Sequence, residues 1–267
     1  MLLPRRPRPF LWRSSTLFML LAAMILNVGC SSSRHSAWFK KPKTSQDWLD
    51  MALEAQTPDE RREGVIGLSQ SRDGTSDWAM KVYDTVARTD TDPMVRCAAI
   101  RAMAAWAGSP QVATALKLLR SPSVAAPDVR PAPGPVRWEA AKLLLGVARE
   151  GGYEESQREE IVKTLLDRVA KDQDRLVRLT IIDTLAFFPQ NPIPAALVDV
   201  METEDDFALQ HAAEKSLVVL TGTTHHHDAE AWRKWLAETP DPFEHSGEIP
   251  AELATENNKK SAWQWDF

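Results

Sequence analysis

Cysteine is nearly missing, with 2 residues in 267, so no disulfide framework can hold the chain together. Tyrosine occurs twice, aromatic residues make 7%, and glycine (11) is rarer than proline (18), a balance that speaks against a turn-rich β protein. No run of alternating apolar and polar residues marks a strand. A basic excess is lacking too: 32 lysines and arginines stand against 37 acids, with no polybasic tract, which argues against nucleic acid as a partner. The phosphate-cradling loop, the G-x-S-x-G elbow and the dinucleotide fingerprint are all missing. What is there is an ordinary globular mix, 43% hydrophobic and 26% charged.

The first residues stand apart. Arg5, Arg6, Arg8 and Arg13 precede an apolar run over 17–26, followed by Asn27-Val28-Gly29-Cys30. A helix over 17–29 is about 20 Å long, short of the ~30 Å hydrocarbon core, so the pattern reads as an export signal rather than a span. Leu26-Asn27-Val28-Gly29-Cys30 resembles a bacterial lipobox, departing from it at Asn27, where leucine is usual. The resemblance implies a signal peptide over 1–29, lipidation of Cys30 and a flexible tether over 30–46. Several acyl chains, at ~0.8 kcal/mol per buried CH2, hold a soluble domain on a membrane durably. Ser31 in place of a retaining aspartate permits delivery to the outer membrane. An ordinary signal peptide with a chance cysteine is the alternative. Removing four arginines from the 32 basic residues while keeping all 37 acids leaves a mature charge of −9, with Cys97 as the one remaining thiol.

From residue 47 onward the apolar spacing is helical. Asp92 suits an N-cap and Pro93 a first helical position, and Val95, Ala99, Ala102, Met103 and Trp106 form one stripe. The pattern recurs every 41 residues, as Val95-Arg96, Val136-Arg137 and Val177-Arg178. A fourth copy places Leu209, Ala213 and Leu217 in the same frame, and a weaker first copy places Arg61, Gly64 and Leu68 there. Further helices lie between, near 48–55, 77–87, 110–119, 156–169 and 194–201. A period near 40 with two helices per unit marks an α-solenoid, because one helix pair cannot bury its own apolar stripe and stacked pairs can. The expected architecture is all-α, about five stacked helix pairs over 47–237, with a closing helix carrying Trp232, Trp235 and Leu236. Residues 121–135, with five prolines, read as an exposed loop, and 238–267 as a disordered tail ending in Trp263-Gln264-Trp265-Asp266-Phe267.

Asp92-Pro93-Met94-Val95-Arg96, Pro135-Val136-Arg137 and Asp174-Arg175-Leu176-Val177-Arg178 resemble the HEAT-repeat family, of the HEAT-like, PBS-lyase type, over residues 47–222. In that family aspartate and arginine form a ladder between repeats. The resemblance assigns Asp92, Arg96, Arg137, Asp174 and Arg178 to it, broken at Pro133 and Gln210.

Candidate chemistry is sparse. The run His225-His226-His227-Asp228 reads as a capping loop, since adjacent side chains do not converge on one metal without special backbone geometry; metal storage or delivery through the histidines is the alternative. His211 and Glu214 lack a second copy of their pair, and Cys97 has no histidine beside it in sequence. No metal, cofactor, small-molecule substrate or catalytic group is expected. Opposite the core stripe of the second helix of each repeat lie Cys97 and Arg101, Trp138 and Lys142, Leu179 and Asp183, His211 and Lys215. This row suits a protein segment with an acidic element, although the same residues can also pack between neighbouring helices. The reading is a non-enzymatic, membrane-anchored interaction scaffold of the bacterial cell envelope, lipid-held on the periplasmic face or outer membrane. The alternative is a HEAT-like accessory enzyme of the chromophore-lyase type, needing a convergent acid, base or cysteine.

Overall fold

The computed structural model describes residues 43–106, 108–120, 128–250 and 253. The expected signal peptide, Cys30, most of the tether and the aromatic end Trp263 to Phe267 lie outside the described residues. Among those described, the chain is all-α, with eleven helices and no strand. They are α1 (Ser45–Glu54), α2 (Pro58–Ser69), α3 (Asp77–Thr89), α4 (Pro93–Ala104), α5 (Ser109–Arg120), α6 (Gly134–Glu150), α7 (Glu155–Lys171), α8 (Arg175–Leu185), α9 (Ile193–Thr203), α10 (Phe207–Thr221) and α11 (Ala229–Glu238).

Local chemistry sets these boundaries. Asp92 Oδ1 accepts from the N–H groups of Met94 (2.8 Å) and Val95 (3.1 Å), and Asp174 does the same for Leu176 (2.9 Å) and Val177 (3.3 Å). Each satisfies orphan donors of a helix start, worth ~1 kcal/mol. Thr44 and Asp47 form a reciprocal capping box, so α1 begins at Ser45, inside the stretch expected to be tether. Gly151 and Gly222 close α6 and α10 at φ +65° and +66°, a left-handed conformation that glycine adopts without a Cβ penalty.

Sequential helices pair, α1 with α2, α3 with α4, α5 with α6, α7 with α8 and α9 with α10. Even-numbered helices also pack each on the next, from α2 through α10, and odd-numbered ones do so from α3 through α11. The 41-residue period becomes three buried columns: Val95, Val136, Val177 and Leu209; Ala99, Ala140, Ile181 and Ala213; Met103, Leu144, Leu185 and Leu217. Truncating a leucine in such a column costs ~2–5 kcal/mol. Alanines 98, 99 and 102 on α4, 140 and 141 on α6, and 212 and 213 on α10 are buried, and their small side chains let the even helices approach closely.

The arginine ladder exists with different acids. Arg61 pairs with Asp90 (2.8 and 3.0 Å), Arg137 with Asp172 (2.8 and 2.7 Å), and Arg178 with both oxygens of Glu204, one at 3.0 Å. Each acid lies two residues before the N-cap of the next even helix, whereas Asp92 and Asp174 are spent on capping. Where that position is Pro131, Arg96 donates to the carbonyls of Pro131 (2.8 Å), Arg130 (3.3 Å) and Ala87 (2.8 Å). Gln210 donates to the Glu204 carbonyl at 2.6 Å and ends the series.

Two segments differ from expectation. Residues 128–133, the second half of the proline-rich insertion, are not a free loop. Val129 and Ala132 are buried, Arg130 N–H donates to the Arg88 carbonyl at 3.0 Å, and Arg137 donates to the Ala132 carbonyl at 2.7 Å. The fork-shaped guanidinium groups turn a polar stretch into a strap. Residues 239–250 also pack: Gly247 N–H donates to the Val219 carbonyl at 2.8 Å, and Ile249 sits on Ala186 and Val219. A Cβ at Gly222 would lie 2.2 Å from the His245 carbonyl, so glycine there lets this segment close on α10. The expected start of a disordered tail at 238 is therefore corrected for 239–250.

Candidate interaction surface

Arg101, Lys142, Asp183 and Lys215 recur at one place on α4, α6, α8 and α10, and Trp138, Leu179 and His211 lie one turn earlier on the last three. The structure brings them to the outward side of the even helices in unequal degrees. Arg101, Lys142 and His211 are exposed; Trp138, Leu179, Asp183 and Lys215 are half-buried. Trp138 and Leu179 pack against the core, so they are partly inter-helix contacts, as their alternative reading allowed. Cys97, expected on the same face, turns inward and is 1% exposed. Burial, with the Glu139 charge nearby, pushes its thiol up, and a neutral buried thiol is a poor nucleophile.

A residue that sequence reading passed over organises this face. Glu139 on α6 is only 3% exposed. One of its oxygens accepts from Arg101 Nε (2.8 Å) and Nη2 (2.5 Å), the other from Lys142 Nζ (3.1 Å). The Lys142 ammonium lies 4.6 Å from the Trp138 ring centre, and Trp138 Nε1 donates to Thr180 Oγ1 on α8 at 3.1 Å. A buried carboxylate thus fixes two surface cations, and a cation–π contact and an indole hydrogen bond fix the tryptophan between them. The signal was visible as Trp138-Glu139 at the even-helix start, but nothing in the pattern says that a glutamate points inward.

Asp183 is the acid of the row. Burial raises its carboxyl from 3.8 to about 6, against the opposing charges of Lys215 and Arg149. At the other end, Arg62, Ile66, Arg101 and Trp106 line a cleft of about 240 Å3 between α2 and α4. Trp106 was expected in the core stripe. It is 65% exposed because α4 stops at Ala104, and the next turn carries the indole out of register.

Near the C-terminal end, Phe207, 65% exposed, lies 5.9 Å from the His211 ring and 5.2 Å from the His227 ring. The 223–228 loop that brings His227 there is held by buried Glu214, which accepts from Thr224 Oγ1 and from Trp232 Nε1, both at 2.6 Å. Asp228 caps α11, accepting from Ala231 N–H at 2.9 Å, as expected of a capping loop. Trp232 is fully buried, and Trp235 and Leu236 pack on the core. Among the described residues no group of three or more histidine, cysteine or acidic side chains converges as a metal cage. Among the same residues no helix is long and apolar enough to cross a membrane. No protein-family model matches the chain, and no curated protein matches it.

Proposed function

We propose that this chain is a membrane-anchored α-solenoid of about five HEAT-like helix pairs that binds a protein partner on its even-helix face, a non-enzymatic scaffold of the bacterial cell envelope. The observation that carries the reading is the repeated row on one face, Arg101, Lys142, Asp183 and Lys215, with Arg101 and Lys142 pinned by buried Glu139. Pre-positioned side chains lose little entropy when a partner arrives. A mainly cationic row in a chain of net charge −5 fits an acidic segment, with Trp138 and Leu179 as apolar ground between the charges.

The clefts between helices support the choice of face. Successive odd helices leave clefts of about 350 Å3 (α3 and α5), 380 Å3 (α5 and α7) and 410 Å3 (α7 and α9). On the even side α4, α6 and α10 carry buried alanines, and the cleft between α2 and α4 is smaller, about 240 Å3. A stack more open on one side bends toward the other, which supports reading the even face as the concave one. The anchor rests on Gly29-Cys30 and the arginines before it. A chromophore-lyase role needs a reactive group in the groove, and Cys97 is turned away from it.

The test is photocrosslinking in isolated membranes from a probe placed at Leu179. Wild type should yield one discrete adduct, and Arg101→Ala with Lys142→Ala should reduce it at least about tenfold, the loss of two preorganised charge contacts. An unchanged adduct would remove the even face from the reading. Loss of membrane recovery in Cys30→Ser would test the anchor separately.

A further inference from the structure

His211 on α10 and His227 in the 223–228 loop are 16 residues apart in sequence, yet His211 Nδ1 and His227 Nε2 face each other at 3.4 Å. The rings lie 23° from parallel with centres 5.5 Å apart, and Phe207 walls one side. Both imidazoles are exposed on the remaining side. Two nitrogens bound to tetrahedral zinc at about 2.0–2.1 Å lie about 3.3–3.4 Å apart. The spacing is therefore already that of two ligands on one ion.

We propose that His211 and His227 form a two-imidazole site for a divalent transition-metal ion of zinc type, with water completing the coordination. The site is built rather than accidental. His227 is delivered by a loop whose Thr224 and neighbouring Trp232 are both tied to buried Glu214, and His226 accepts a left-handed backbone, φ +53°, to turn the chain back over α10. His226 N–H is held by Thr224 Oγ1 at 3.0 Å, so the turn is fixed from within. The facing nitrogens lie within hydrogen-bond reach, and which of them carries a proton depends on the tautomers. Binding needs both tautomers with the proton on the far nitrogen, which frees both facing lone pairs and releases no proton from neutral rings. Zinc is the probe, and copper(II) should bind the same pair more tightly.

Calorimetric titration of the full chain with zinc chloride at neutral pH should show one saturable site. His211→Gln and His227→Gln should each abolish it, while His245→Gln, at an exposed residue of the 239–250 segment, should leave it unchanged. Thr224→Val should weaken it about tenfold by loosening the loop that orients His227. Both histidines are exposed, so helical circular dichroism should be unaltered in the single variants and distinguishes loss of ligand from loss of fold. In NMR spectra zinc should shift the ring signals of His211 and His227 and not those of His245. Absence of saturable binding, or binding that survives both histidine substitutions, would overturn the proposal.

Discussion

Three rungs of the arginine ladder end on a carboxylate and one ends on a carbonyl. Arg137 meets Asp172 with two bonds and little water around either partner; Arg96, at the same place one repeat earlier, meets only main-chain oxygens. The geometry is retained while the charge is not. What the repeat joint requires is a planar donor fork in a fixed place, and a carbonyl turned inward by the 128–133 strap can satisfy it. The difference should appear in energetics. An ion pair stripped of one partner leaves a charge stranded, whereas a guanidinium stripped from carbonyls leaves only unsatisfied acceptors.

Asp172→Ala should therefore be the most damaging of the joint substitutions. Asp172 is buried, and burial alone would push its carboxyl up; hydrogen bonds from Arg137 and from the Asp174 N–H, with the Arg137 charge, outweigh that and hold it below the ordinary range. Losing it should cost about 3 kcal/mol, read as a shift of the urea midpoint at constant slope. The sign with pH follows from the lowered pKa: the rung contributes fully above the unfolded carboxylate value and is lost as pH falls through the folded one. Asp90, lowered in the same way with Arg61, behaves alike. A cost near zero for Asp172→Ala would mean the rungs are decorative.

Arg96→Met keeps the volume and removes the fork. With no carboxylate partner to strand, it should cost about 2 kcal/mol, from carbonyls of Ala87, Arg130 and Pro131 left without donors. It should also raise amide exchange at Arg130, whose N–H bonds to Arg88. A cost equal to that of Asp172→Ala would erase the distinction between the two kinds of rung.

The ladder also shows where sequence was readable. The 41-residue period located the even helices and their buried columns, because apolar periodicity is what burial selects. The arginines were legible and their acids were not. Asp90 and Asp92, and Asp172 and Asp174, are Asp-x-Asp pairs in which the second caps and the first pairs. Residue type alone does not divide those tasks. Glu139 escaped notice for a related reason, since a glutamate on a helix reads as solvent-facing until its cations are seen above it. His211 and His227 meet only because Glu214 shapes a loop, a geometry no spacing announces.

Asp183 sharpens the contrast from the other direction, as an acid without a rung. Its folded pKa, about 6, lies above its unfolded value, so stability is greatest below the unfolded pKa and falls as pH rises through about 4 to 6. Asp183→Asn should raise stability at neutral pH by about 1–2 kcal/mol and flatten that part of the profile, leaving the acid limb below about pH 4 to the ladder. Equilibrium unfolding at several pH values separates the two limbs. A profile unchanged by the substitution would place the desolvated carboxylate elsewhere.

The smallest expected effect comes from rebuilding the missing rung. Pro131 occupies the place held by Asp90, Asp172 and Glu204 in the other joints, and its side chain is exposed. Pro131→Asp would offer Arg96 a carboxylate while leaving the carbonyl in place. The gain should stay below about 1 kcal/mol, because Arg96 is already satisfied and a pair formed at an exposed position is screened by water. Freeing the backbone from proline removes a further few tenths of a kcal/mol. The informative readout is salt: any stabilisation should fade as ionic strength rises, whereas the Arg137 and Asp172 rung, shielded from solvent, should lose much less. Stabilisation comparable to the loss in Asp172→Ala would show that the third joint is underbuilt, and that its carbonyl fork is a weaker substitute rather than an equivalent one.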